Sequence, residues 1–188
     1  GFMGFRYKIL LSVLFGLAVV LAIGWAVYRQ SSGGFVTYRN AVYAYQIDYP
    51  RDWQAEGVTQ GSSRSVEMTF YEMGKGASGK DQMTAMTVHV YENPRLLSPK
   101  DWYAQDAKLQ SGGLYPYPAS IVSSTREAEV SGMPAYHLVT TDANYDYFIG
   151  KGHRIYRLSF EKFGGNATSD LPGEIYAKML ASFAVMGQ

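Results

Sequence analysis

The sequence predicts an α+β domain, a central and mostly antiparallel β-sheet covered by helices, preceded by one N-terminal transmembrane helix. Three observations predict it. Ile9 to Tyr28 runs for twenty residues without a charge. Beyond it, short stretches alternate apolar and polar residues with period two and are separated by Gly- and Pro-containing turns. Two further stretches carry helix-start chemistry ahead of a 3.6-residue apolar period. Strands outnumber helices and hairpin connections dominate, which describes a sheet of antiparallel neighbours with helices laid over it.

The first element is the apolar run "ILLSVLFGLAVVLAIGWAVY". At 1.5 Å per residue a helix of that length spans about 30 Å, the thickness of bilayer hydrocarbon. Arg6 and Lys8 precede it, so the positive-inside bias places residues 1–8 in the cytoplasm and the rest outside, in a periplasm or at the cell surface. A cleaved signal peptide is the competing reading. Its apolar core is usually about 7–15 residues followed by a small-x-small site, and Gly24-Trp25-Ala26 fits that poorly. The expected organisation is therefore a cytoplasmic end (1–8), a span (9–28), a short linker with "SSGG" (29–35) and an extracytoplasmic domain (36–188). Ala18, Ala22 and Ala26 share one stripe of the span, and Gly16 falls on a second with Ser12 and Gly24. Small residues four apart let neighbouring backbones approach, and they are also common in every membrane helix.

The domain opens with "YAYQIDYPRDWQ" (43–54), where Tyr43, Tyr45, Ile47 and Tyr49 form one face of a strand. Pro50 cannot donate to a ladder and ends it, leaving Trp53 to fold back over the sheet. Strands at 66–71 and 85–91 follow, separated by the Gly-rich polar loop 72–82. In "SPKDW", Ser98 caps a helix, Pro99 takes its first position and Asp101 completes a capping-box pattern. That helix is expected to reach Gln110, stop at Gly112–Gly113 and present Trp102, Tyr103, Asp106 and Leu109 on one side. Strands at 121–130 and 135–141 flank a turn at "SGMP", and strands at 144–150 and 153–161 flank a Lys151-Gly152 turn. A loop at 162–170 leads to a closing helix over 171–183, with Asp170 as cap and Ile175, Met179, Leu180 and Phe183 buried.

Taken together, "Y…Y-x-I-x-YP-x-x-W", the helix after the third strand, the Gly-bounded hairpin, "IYRLSF" and the terminal "MLASF" resemble the PsbP-like family over about residues 36–186. That family includes the extrinsic protein of photosystem II and bacterial envelope proteins. The resemblance implies an antiparallel sheet with helices on both faces, and work as an accessory or assembly factor without catalysis. The chain differs from lipoprotein members in having no lipid-bearing cysteine, its place taken by the apolar span.

Composition narrows the function classes. A chain of 188 residues holds one sizeable domain plus an appendage and needs no covalent staple. The absence of cysteine excludes disulfides, thiolate metal sites and cysteine nucleophiles. From Gln30 onward 14 Lys/Arg face 16 Asp/Glu, a balance of −2, so nucleic acid is not an expected partner. His89, His137 and His153 lie in or beside strands with no second ligand at useful spacing, and read as surface or half-buried residues. No G-x-S-x-G elbow is present, "GKGASGK" (74–80) lacks phosphate-loop spacing, and Asn166-Ala167-Thr168 is a chance-prone sequon. No catalytic, metal or cofactor residue is expected.

Aromatics are the remaining candidates. The 16 tyrosines include Tyr115 and Tyr117 in the loop "SGGLYPYPAS" and Tyr145 and Tyr147 on one hairpin strand. Exposed, they would mark an interface, while inward they would be ordinary cross-strand packing. The sequence thus leaves two functions open. One is a non-enzymatic interaction domain binding other subunits of a membrane complex, or a second copy of the chain, and touching lipid only through its span. The other is a receptor domain for a small ligand such as a glycan or lipid.

Overall fold

The structure, a computed structural model, describes residues 34–58, 67–75, 81–161 and 173–187. The chain divides into two units at Phe35/Val36, and the description concerns the second. The expected span (9–28), with Gly16, Ala18, Ala22 and Ala26, lies outside the described residues, as do residues 162–172. Among the described residues no helix is long and apolar enough to cross a membrane.

The described strands run in chain order as β1 (Phe35–Asn40), β2 (Tyr45–Pro50), β3 (Gln54–Val58), β4 (Glu67–Lys75), β5 (Asp81–Glu92), β6 (Val122–Val130), β7 (Met133–Thr140), β8 (Asn144–Lys151), β9 (Arg154–Glu161) and β10 (Ala184–Val185). The helices are α1 (Pro99–Gln105), α2 (Ala107–Gln110) and α3 (Glu174–Ser182). Seven strands form one sheet in the order β3-β4-β5-β9-β8-β7-β6, with every neighbouring pair antiparallel. A second sheet has the order β1-β2-β10. This is the expected class, an antiparallel sheet with a few helices.

Register fixes which side chains share a face. Tyr91 of β5 stands opposite Ile155 of β9, and Phe148 of β8 opposite Tyr136 of β7. These rings meet α1, whose Trp102 stacks on Tyr91 (centroids 5.4 Å apart) and Phe148 (6.0 Å) and donates its indole N–H to the Glu92 carbonyl (3.0 Å). Ser98 caps α1 as expected, accepting from the Asp101 N–H at 3.2 Å. Its hydroxyl in turn donates to the Asp101 carboxylate (2.7 Å), so Asp101 supports the cap through the hydroxyl. The start of α1 lies close on the sheet because Gly150 has no side chain: a Cβ there would stand 3.1 Å from the Pro99 ring.

The opposite face carries Met86, Val88 and Val90 from β5 with Tyr156, Leu158 and Phe160 from β9, all buried. It packs against the small sheet and α3. Tyr45 meets Tyr156 (6.0 Å) and Phe183 (5.9 Å), and Tyr49 meets Phe70 (4.7 Å). Tyr176 of α3 lies on Phe160 (5.0 Å), its hydroxyl set between the carbonyls of Ala85 (3.0 Å) and Glu161 (2.6 Å). Trp53 closes this corner edge-on to Tyr176 at 6.2 Å, after a turn in which its N–H donates to the Pro50 carbonyl (3.0 Å).

Several expectations are corrected. The helix after Ser98 is broken at Asp106, which ion-pairs with Arg95, and Leu109 points to solvent at 81 % exposure. In the closing helix Gly173 holds the cap position, with Asp170 outside the described residues, and Tyr176 is buried where Ile175 was expected. The last hairpin turns at Gly152-His153, because Lys151 pairs with Arg154, and Gly152 supplies the left-handed φ of +56°. Of the loop expected over 72–82, residues 72–75 and 81–82 are paired strand, since β4 runs to Lys75 and β5 starts at Asp81, and residues 76–80 lie outside the described residues. Strands β1, β3 and β10 were not expected. β1 is half-exposed along its length, and two-residue β10 is too short to show a period.

Candidate functional site

The hairpin β8–β9 places two opposite charges inside the protein. Asp146 and Arg157 lie on the same sheet face as Tyr91 and Phe148, one diagonal step apart, because Asp146 pairs with Ser159 and Phe148 with Arg157. Arg157 Nη2 stands 2.9 Å from Asp146 Oδ1 and donates to Ser159 Oγ (2.9 Å) and to the Tyr117 hydroxyl (3.2 Å). Tyr117 passes its own proton towards Asp146 Oδ2 at 3.0 Å. The guanidinium also lies 4.9 Å from the centre of the Tyr115 ring, a cation–π contact in a dry setting. Asp146 is fully buried and Arg157 nearly so.

The loop after α2 roofs this cluster. Ser111 accepts from the Tyr115 N–H (3.0 Å), and the Tyr103 hydroxyl accepts from the Tyr117 N–H (2.8 Å), so the helix dictates where both tyrosines enter. Burial pushes the Tyr103 hydroxyl up to about 12, and raises those of Tyr115 and Tyr117 further, with the Asp146 charge adding to it. Burial opposes the Arg157 charge, yet Asp146 and the tyrosines around it hold the group above its ordinary value. The cluster is an ion pair and a phenol bound to one another, with every hydroxyl in it protonated at neutral pH.

The histidines separate by environment. His137 is buried, not at the surface: its ring stacks on Tyr147 (4.1 Å) and its Nδ1–H donates to the Asp146 carbonyl (3.1 Å). His153 is exposed at the hairpin turn. His89 pairs across the strands with Arg157, and desolvation, reinforced by that charge, brings its imidazole down to about 3. The unfolded chain binds a proton there near pH 6.5 while the folded domain does not. The linked stability is therefore complete above about pH 6.5 and is lost as the pH falls from there towards 3. An NMR titration of the side chains should find the His89 imidazole still neutral at pH 5, and a midpoint above 6 would refute the placement.

The four tyrosines, which the sequence left either exposed at an interface or packed inward, are turned inward. Tyr115 (4 % exposed), Tyr145 (0 %) and Tyr147 (5 %) are buried, and Tyr117 is half-buried. Tyr145 and Tyr147 face the small-sheet side, Tyr147 edge-on to Phe160 at 6.2 Å, while Tyr115 and Tyr117 face the α1 side. The loop folds inward because its rings are the lid that dries the Asp146–Arg157 pair. Sequence reasoning missed that pair. Its signal was two charges within aromatic runs of a single hairpin, at alternate positions that a two-residue turn puts on one face.

A second feature lies at the hairpin's turn. A groove of about 430 Å³ is lined by Lys151, His153 and Arg154 of the hairpin, by Glu92 and Tyr156, and by Val185 and Met186 near the end of the chain's described residues. Arg154 is steadied over the Tyr43 ring (5.3 Å) and by the Val42 carbonyl (3.5 Å). Among the described residues no group of three or more His, Asp or Glu gathers as metal ligands would.

Fold and cluster together define a class: an α+β sheet protein whose strongest polar constellation is turned inward on itself. No protein-family model and no curated protein sequence matches the chain. Among solved structures it is similar to the solution structure of cyanobacterial PsbP (CyanoP) from Synechocystis, at 14 % identity and a TM-score of 0.50. The match covers 82 % of this chain and 93 % of that one. At that identity the likeness shows a shared fold.

Proposed function

We propose that this chain is a PsbP-like, membrane-anchored protein without catalytic activity, held by the span at 9–28 with its folded domain outside the cytoplasm. It serves as an accessory subunit or assembly factor of a membrane complex. The observation that carries this reading is the inward Asp146–Arg157–Tyr117 cluster. Its two charges face each other beneath the Tyr115 lid and Tyr117 bonds to both, so the buried pair offers no reacting group to solvent. The uncharged run ahead of the domain and the shared PsbP fold support the same reading. Reading the domain as a small-ligand receptor has lost its exposed tyrosines.

The test is the company the intact protein keeps. Solubilised from its own membranes with a mild detergent, it should migrate with other subunits at defined stoichiometry. Migration as a lone monomer with no co-purifying subunit would refute the proposal.

A further inference from the structure

The groove at the β8–β9 turn has two properties that belong together. Its cations form no ion pair with any described residue: Lys151 is exposed, Arg154 rests over the Tyr43 ring and by the Val42 carbonyl with Glu92 as its cross-strand neighbour, and His153 is exposed beside them. Glu92 is the single acidic residue lining the groove. Val185 and Met186 bring to it the edge of a sheet, since among the described strands β10 ends the order β1-β2-β10. The Met186 N–H donates to the Ala44 carbonyl (2.7 Å), and Val185 is the Cα partner of Tyr45. Backbone groups alternate sides along a strand, so with Met186 bonded towards β2, the N–H and C=O of Val185 point away from it, to the open edge. An unpaired strand edge is a template for an added strand, and cations beside it select what that strand carries.

We infer that this groove docks an extended acidic segment of a partner protein, which adds to the free edge of β10 and sets a carboxylate between Lys151 and Arg154. The inference rests on the accessory-subunit reading above and names the contact it would use. Main-chain pairing at Val185 supplies register, and the apolar side chains of Val185 and Met186 receive the segment's alternate residues. Charge complementarity steers the encounter and rejects basic segments.

The test uses the full chain, isotopically labelled in detergent micelles, and three probes: acetyl-Val-Glu-Val-Glu-Val-amide, the same peptide with lysines for glutamates, and glutarate. The acidic peptide should shift the amides of residues 151–154 and of Val185 saturably, and slow exchange of the Val185 N–H. The lysine peptide should bind at least tenfold more weakly. Lys151→Glu, at the exposed last residue of β8, should weaken the acidic peptide at least tenfold with the remaining amide shifts unchanged, and Lys151→Glu with Arg154→Glu should abolish binding. Equal binding of both peptides, no saturable response, or glutarate shifts of the same size without slowed exchange at Val185 would each overturn the inference. Co-purification separates it from the reading beneath it. A Lys151→Glu/Arg154→Glu protein that keeps every subunit the unmodified protein carries overturns the groove alone, whereas an unmodified protein that purifies without subunits overturns the accessory-subunit reading.

Discussion

Asp146→Ala should cost the domain about 3–5 kcal/mol, the usual loss when one partner of a buried ion pair is removed. Arg157 would keep its charge with no carboxylate beside it, 2.9 Å from where Oδ1 stood, and only the Ser159 and Tyr117 oxygens would remain to solvate it. The pair is not ideally solvated even in the native protein. Arg157 Nε is buried with no hydrogen-bond acceptor among the described residues. Replacing both charges by apolar groups of similar size, as in Asp146→Leu with Arg157→Met, should therefore recover most of what the single substitution loses. Chemical denaturation of the full chain, followed by near-ultraviolet circular dichroism, measures both. A single-variant loss below about 1 kcal/mol would mean that water reaches Arg157, and that the Tyr115 lid does not keep the cluster dry.

Trp53→Ala should cost a similar amount, about 3–5 kcal/mol, as expected for truncating a large buried aromatic. Trp53 is 6 % exposed and rests edge-on against Tyr176, the residue whose hydroxyl lies between the carbonyls of Ala85 in β5 and Glu161 at the end of β9. The two substitutions report on different regions. Asp146 lies beneath the loop after α2, while Trp53 closes the corner made by β2, β3 and α3. Their effects should add, since the residues share no partner. A Trp53/Tyr176 double variant should lose less than the sum of its singles, because the second truncation removes a contact already gone. A loss under 1 kcal/mol for Trp53→Ala would put that tryptophan at the surface.

The readability of the chain varied with how local the determining physics was. The Pro50 stop and the Trp53 corner were legible, because proline's missing donor acts through its own backbone. Ser98-Pro99 was legible for the same reason, and only the return bond from Asp101 differed. The break at Asp106 was not, since its local sequence carries no breaker and the residue's ion pair reaches to Arg95 on a separate loop. Ile175 and Tyr176 are adjacent candidates for the buried side of one helix turn, and the choice fell to Tyr176, whose hydroxyl meets the carbonyls of Ala85 and Glu161. The candidate sites were legible only in part. Tyr115 and Tyr117 were singled out as functional, and the structure has them covering a charge pair that the sequence reading passed over.

What the amino-acid order determined by itself was the alternation of faces along the longer strands, the stop at Pro50 and the helix start at Ser98-Pro99, each set by neighbours a few residues apart. The tertiary structure alone decided which face meets which. It brought Asp146 and Arg157 together under the Tyr115 loop, seated two-residue β10 on β2, and opened the groove between that edge and Lys151. These contacts join residues far apart in the chain. Their energies depend on burial and on opposing charge, which arise only when the elements have packed.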